Sequence, residues 1–376
     1  MKIALIANYR PEHSFSMLGY AAMLQSGLQS RGHQVEIVDP PVVFGRLAVG
    51  DGEFAKWIGY IDKYLLGPGL MRRKIRRFDP DIVHVCDHSN SMHLRCAADK
   101  PQVITCHDLI AINGARGRYP GLRTRFTGRL QQAWIAHGLA RARHVICDSH
   151  KTASDFRENF PASQAEIRVI HLGLNRAFYP APAAEIQAAL AALGLPAETP
   201  YLLHVGHNSW YKNRRGAMQI YASLRQFPEF QSFMLVMVGA PWSAPMRAFC
   251  AESKLNNRVV EARSLPDSTL NALYSGAAAL LFPSREEGFG WPILEAQACG
   301  CPVITTKRPP MTEIAGDAAI FIDPSEPRLA AQTIRDQWSR RAQLRESGFR
   351  NVERFSPDAM LDACRSAYES IVASER

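Results

Sequence analysis

Apolar runs of strand length alternate with helix-like stretches along almost the whole chain, and few architectures accept that pattern. A strand covered on both faces reads as a short continuous apolar run, and the helix that follows it covers one face of the shared sheet. The runs fall at residues 2–7, 34–38, 82–85, 102–105, 144–147 and 167–170, then at 201–205, 233–238, 258–261, 278–282, 302–305 and 319–322. Two sets of six imply an α/β protein of two doubly wound parallel-sheet domains. At 376 residues the chain has room for both. Tyr179-Pro180-Ala181-Pro182-Ala183 and Leu195-Pro196-Ala197-Glu198-Thr199-Pro200 bracket a short Ala-rich helix between the sets. That composition marks a connection, so the expected division is 1–178, a linker at 179–200, and 201–356.

Open α/β sheets bind ligands beyond the carboxyl ends of their strands, so the chemistry should lie just after each run. The richest segment follows 278–282 and runs Ser284-Arg285-Glu286-Glu287-Gly288-Phe289-Gly290-Trp291-Pro292-Ile293-Leu294-Glu295. Gly288 and Gly290 let the backbone bend and approach a ligand closely. Pro292 suits a first helical position, where its missing N–H would be unpaired anyway. The helix start aims amides and a positive dipole end into the loop, which suits a phosphate. Glu287 on the loop and Glu295 in the helix can accept hydrogen bonds from hydroxyls. Together these parts fit a nucleotide sugar.

The segment resembles the signature of glycosyltransferase family 4, retaining enzymes with two Rossmann-like domains facing a central cleft in the GT-B arrangement. The family pattern is Glu, seven residues, Glu, then a small-residue helix and Gly-x-Pro-Val-Ile. Here it reads Glu287 to Glu295, then Gly300-Cys301-Pro302-Val303-Ile304. The resemblance spans almost the whole chain and is strongest from Tyr201 to Pro324. It implies that Glu287 holds the transferred sugar beside Gly288, Phe289 and Gly290. It also implies that Glu295 holds the ribose, with Ile293 and Leu294 in the donor-binding helix start.

Other family positions follow other strands. After 201–205 comes Gly206-His207-Asn208-Ser209-Trp210-Tyr211-Lys212-Asn213. The family neutralises the diphosphate with an arginine and a lysine here. Lys212 matches the lysine, Asn213 follows it, and His207 stands in the arginine's place with less charge to offer; either His207 takes the role weakly or Arg214 or Arg215 nearby compensates. His107, in Thr105-Cys106-His107-Asp108, matches a histidine that contacts the transferred sugar. Gly19 matches a glycine whose amide approaches the donor, placed at the end of a loop before a helix. Arg263, Ser264 and Leu265 match the loop that reads the nucleobase. The last helix, from Pro357, should cross back to join the first domain as residues 357–376.

Charge is unevenly spread. Residues 1–150 hold twenty Lys and Arg against twelve Asp and Glu, net +8, and the remainder is +1. No nucleic-acid motif or interleaved stacking aromatics accompany the excess, so nucleic acid is not the expected partner. The segment from Arg123 through Arg129, Trp134 and Leu139 to Arg143 has helical spacing and could lie on an anionic membrane, or pack its Trp134 side into the core. No run reaches transmembrane length, and the start reads as a buried strand rather than a signal peptide. Eight cysteines without a C-x-x-C pair suit buried thiols in a cytoplasmic protein, with a peripheral place at the inner membrane face as the finer expectation.

The expected function is therefore retaining transfer of a hexose from a nucleotide-diphosphate sugar to a saccharide or lipid-linked acceptor, as in polysaccharide biosynthesis. No metal or other cofactor is implied, because no Asp-x-Asp ends a strand and Lys212 with the helix start can supply the positive charge. The alternatives are an epimerase or phosphorylase of the same plan, or a catalytically silent nucleotide-sugar-binding subunit.

Overall fold

The computed structural model describes residues 1–12, 15–47, 58–120, 122–174 and 176–375. They form two compact units: Met1–Asn175 with Pro357–Arg376, and Arg176–Ser356. Each unit is built on one six-stranded, all-parallel sheet.

The first sheet comprises β1 (Lys2–Ile6), β2 (Gln34–Val38), β3 (Ile82–Val85), β4 (Gln102–Cys106), β5 (His144–Cys147) and β6 (Glu166–Val169), in the order β2-β1-β3-β4-β5-β6. The second comprises β7 (Tyr201–Val205), β8 (Met234–Val238), β9 (Val259–Ala262), β10 (Ala279–Phe282), β11 (Val303–Thr306) and β12 (Ala319–Ile322), in the order β12-β11-β10-β7-β8-β9. All twelve apolar runs are strands, displaced by at most one residue at either end. Central strands such as β3 and β10 are buried at every residue, which is why they read as unbroken apolar runs.

Both orders contain a switch point, where successive strands are laid down on opposite sides of the first. In the first sheet it lies between β1 and β3, and in the second between β7 and β10. A crevice opens there at the strands' carboxyl ends. Each unit has its own core: Ile6, Val85, Ile104 and Phe156 in the first, Leu202, Leu235, Leu281 and Ile334 in the second. All eight cysteines are buried and free.

The terminal helix, Pro357–Ser374, belongs to the first unit. It packs on the helix Phe15–Gln29 at Gly27, where a Cβ would lie 2.3 Å from Leu361. Its Tyr368 hydroxyl meets His84 Nδ1 at 2.6 Å, while His84 Nε2 meets Thr105 Oγ1 at 2.7 Å. Burial pushes the His84 imidazole down to about 3, so it is neutral and bridges β3, β4 and the helix.

The expected linker is not a free connection. The Tyr179 amide donates to Asn271 Oδ1 at 3.0 Å and the Ala181 amide to Ser275 Oγ at 2.9 Å. Its helix, Ala183–Ala192, packs on the helix Asp267–Gly276, with Leu190 buried. Residues 179–200 are thus part of the second unit. Pro-rich composition reported the turns but not the apolar side of the short helix.

Candidate donor site

The loops after β7 and β10 meet at the second sheet's switch point and bring Lys212 and Glu287 together. Lys212 Nζ donates to both carboxylate oxygens of Glu287, at 2.8 and 2.9 Å. The two side chains are only 15% and 8% exposed, so this pair is held mostly out of water. Burial alone would push the ammonium's pKa down, but the Glu287 carboxylate outweighs it and keeps Lys212 charged. The ammonium also lies 5.2 Å from the centre of the Phe282 ring.

Glu287 owes its position to the sharp exit from β10. Gly290 caps the following helix, Trp291–Ala298, at φ 106°, a backbone conformation that side-chain-bearing residues rarely adopt. Phe289 is buried, with its ring 5.9 Å from that of Phe355, which pins the loop to the unit. Gly288 and Gly290 flank it. The helix starts one residue before Pro292, and the Ile293 amide donates to Gly290 O at 3.0 Å. Pro292 has no N–H, so the helix start offers fewer open donors than the sequence suggested. Ile293 and Leu294 are fully buried, and their side chains are core rather than ligand contacts.

Glu295 sits one turn into that helix and is only partly buried. Its Oε2 accepts from the Tyr274 hydroxyl at 2.7 Å. Burial pushes its carboxyl up, against the pull of Tyr274, Arg176 and Lys212. Tyr274 was missed in the sequence. It lies on another helix, and nothing local marks a tyrosine that will orient a distant carboxylate.

Two residues expected at the donor behave otherwise. Asn213 adopts a left-handed conformation at φ 50°, and its Nδ2 donates to Pro283 O at 3.0 Å. Being only 7% exposed, it ties the β7 loop to the β10 loop instead of presenting an amide to a ligand. Arg263 pairs with Glu261 at 2.5 Å on the exposed loop after β9. Ser264 beside it takes φ 48°, a position that glycine favours, and Leu265 is half-buried. His207 is exposed after β7, at the arginine's place in the pattern.

In the first unit His107 is buried, with Nδ1 2.5 Å from Asp148 Oδ2 and Nε2 2.8 Å from Cys86 O. A carbonyl and a carboxylate only accept, so both ring nitrogens act as donors and the ring is an imidazolium. Burial would push it down, but Asp148 and Asp87 hold it up to about 9. With both N–H groups spent, His107 cannot share a proton with a sugar hydroxyl without breaking one of them. As it stands both ring nitrogens are engaged within the unit, so the expected hydroxyl contact is not offered by a free N–H. Asp108 next to it accepts the Ile110 amide at 2.8 Å and holds the loop. The helix Phe15–Gln29 begins four residues before Gly19, so Gly19 lies within it and not on the loop. Its amide is beyond the first helical turn, where free N–H groups end. Its neighbour Tyr20 meets the His107 ring edge-on, with centroids 5.1 Å apart.

A raised His107 value makes its contribution to stability full below about pH 6.5, its ordinary value, and lost as pH rises through about 9. Denaturant melts of the parent should therefore weaken between these pH values, and Asp148→Asn should flatten that slope. An unchanged slope in the variant would show that the buried pair does not link protons to folding.

Two six-stranded parallel sheets, with a charged pair at one switch point, define a protein of two Rossmann-like α/β units, and the comparisons narrow it. The model for glycosyl transferases group 1 matches residues 185–349, and that for Glycosyltransferase Family 4 matches residues 20–178. Together these two glycosyltransferase models match most of the chain, consistent with the family 4 glycosyltransferases. The chain is 28% identical over 247 residues to the O-antigen chain mannosyltransferase B of Escherichia coli, covering 61% of this chain and 64% of that protein. It is 27% identical over 292 residues to the D-inositol 3-phosphate glycosyltransferase of Acidothermus cellulolyticus, covering 73% and 63%. The chain thus spans less than two thirds of the length of these relatives. The fold is GT-B. It superposes on sucrose-phosphate synthase from Thermosynechococcus elongatus with a TM-score of 0.75 at 20% identity, covering 100% of each chain. Anabaena HepE in complex with UDP and glucose gives 0.68 at 16% identity, covering 98% of this chain and 100% of that one.

Proposed function

We propose that this protein moves a hexose from a nucleotide-diphosphate sugar to a saccharide or lipid-linked saccharide, with retained anomeric configuration. The observation that carries the reading is the buried Lys212–Glu287 pair at the second sheet's switch point. Departure of the nucleoside diphosphate builds negative charge on the diphosphate, and a charged Lys212 beside the loop amides opposes it. Glu287, the partner of that ammonium, faces the sugar's hydroxyls and the positive charge growing at the anomeric carbon. Glu295, oriented by Tyr274, accepts from the ribose. The relatives named as mannosyltransferase and inositol-phosphate glycosyltransferase, and a neighbour solved with UDP and glucose, support a sugar-nucleotide donor.

Incubation with candidate nucleotide sugars and an acceptor extract tests the reading. Free nucleoside diphosphate with an enlarged, retained-configuration product supports it, and a new sugar isomer alone or no release of diphosphate overturns it.

No metal is assigned to the reaction. Lys212 supplies positive charge where a divalent cation would otherwise act, so turnover should survive EDTA without loss. A strict dependence on added Mn²⁺ or Mg²⁺ would remove Lys212 from this role.

We further place the acceptor on the first unit, near a membrane. Residues 109–147 contain seven arginines and no Asp or Glu. The helix Phe126–Leu139 buries Ile135 and Leu139, and sets Trp134 against Tyr64 at 4.8 Å. Its outer side leaves Phe126 72% and Leu130 56% exposed. Apolar side chains among arginines suit an anionic surface, each cation adding about 1 kcal/mol there. Among the described residues no helix is long and apolar enough to cross a membrane, so the proposed contact is peripheral. The protein should sediment with anionic vesicles at low salt, less at high salt, and little with neutral ones. Equal, salt-insensitive recovery from both would leave the basic face as solvated surface only.

A further inference from the structure

The second unit carries a basic pocket that the donor reading does not use. It has a volume of about 230 Å³ and lies between the loop after β7 and the start of the helix Ala244–Glu252 after β8. Three arginines, Arg214, Arg215 and Arg285, line it with Asn208 and Ser243, and no carboxylate does.

Arg214 is the unusual member. It is only 3% exposed, and its Nη1 donates to Asn208 Oδ1 and Ala240 O, both at 2.6 Å. Its Nε and Nη2 are buried without an acceptor. Buried guanidinium groups are ordinarily matched by a carboxylate, because an unpaired charge out of water is costly. Among the described residues none of the three arginines makes an ion pair. The carboxylate that acts on Arg214, Glu261, is already taken up by Arg263 and by the Trp242 amide. Burial accordingly pulls the guanidinium below its ordinary value. Arg215 and Arg285 are exposed and flank it. The neighbouring donor residues point elsewhere, Lys212 to Glu287 and Asn213 to Pro283 O.

We propose that this pocket binds a phosphoryl oxyanion, held by Arg214, Arg215 and Arg285 with Asn208 and Ser243 beside them. A tetrahedral dianion offers several acceptor oxygens to a forked guanidinium and offsets charge that nothing in the pocket offsets. Two sources carry that chemistry: the phosphate arm of a nucleotide sugar, or a separate phosphorylated small molecule. Only the first of these rests on the proposed donor.

Isothermal titration of the full chain with inorganic phosphate, against chloride at equal ionic strength, tests the site. Saturable uptake at one site per chain is expected. Arg215→Ala and Arg285→Ala, both at exposed positions that leave the fold intact, should each weaken it about tenfold. Arg214→Met should abolish it. Uptake that persists under saturating UDP or GDP assigns the site to a separate phosphorylated ligand, and uptake that either blocks assigns it to the donor's phosphate arm. Absent saturable uptake, or uptake unchanged in both exposed-arginine variants, would overturn the proposal whether or not the protein turns over a nucleotide sugar.

Discussion

Glu287→Gln should cut sugar transfer by orders of magnitude while leaving nucleoside diphosphate affinity nearly unchanged. Glutamine keeps the shape of the side chain and can still accept one hydrogen bond from Lys212. What it loses is the negative charge beside the reacting sugar, in a place only 8% exposed where charge is weakly screened. Removing one preorganised electrostatic contact of this kind typically costs about 10²–10³ in turnover. Glu295→Ala should show the opposite split. It should weaken donor binding about tenfold or more, because it deletes a charge-assisted contact that Tyr274 holds in place. Initial rates together with titration of the free nucleotide separate the two. Near-normal transfer by the Glu287 variant would end the assignment of this site.

Lys212→Met should be costly in both activity and stability. The stem of the side chain is preserved, but the Glu287 carboxylate is left mostly buried with its partner gone. Breaking such a pair from one side typically costs about 3–5 kcal/mol. The real loss should fall at or below the lower end, since both groups keep some exposure. Adding Glu287→Leu should restore most of the stability, because replacing both charges by apolar groups of similar size is close to neutral. It should restore no activity. Urea melts of the single and double variants read the first effect and donor turnover the second. A double variant as unstable as the single one would mean that the pair serves the fold rather than the chemistry.

Much of this was legible in the chain because the determinants are local. The strands of both sheets are short apolar runs bounded by turns, and burial on both faces makes them unmistakable even in isolation. Glu287 and Lys212 were legible for a related reason. Each sits in a short segment between a strand and the next long helix, and each was marked by the motif around it, Gly206 to Asn213 for Lys212 and Glu287 to Glu295 for Glu287. Residues within elements were harder. Gly19 was expected on a loop, but the helix Phe15–Gln29 starts four residues before it. Ile293 and Leu294 lie in the donor motif, yet their place on the helix turns them into core.

Side-chain partners decided the remainder. His107 reads as a candidate acid or base until Asp148, 41 residues away, and the Cys86 carbonyl take both its nitrogens. Asn213 reads as a donor contact until Pro283 O, 70 residues away, claims its amide. Tyr274 has no mark in the sequence, and Arg214 and Arg215 were marked only as stand-ins for a missing arginine; the pocket they share with Arg285 depends on groups from separate strands and helices. The sequence by itself determined two parallel α/β units, their strands, and the loops that carry the charged pair. Periodicity and turn chemistry act over a few residues and need no knowledge of what lies across the sheet. Only the tertiary structure decided which of the polar side chains remain available, since a hydrogen bond is settled by whichever group folding brings within about 3 Å.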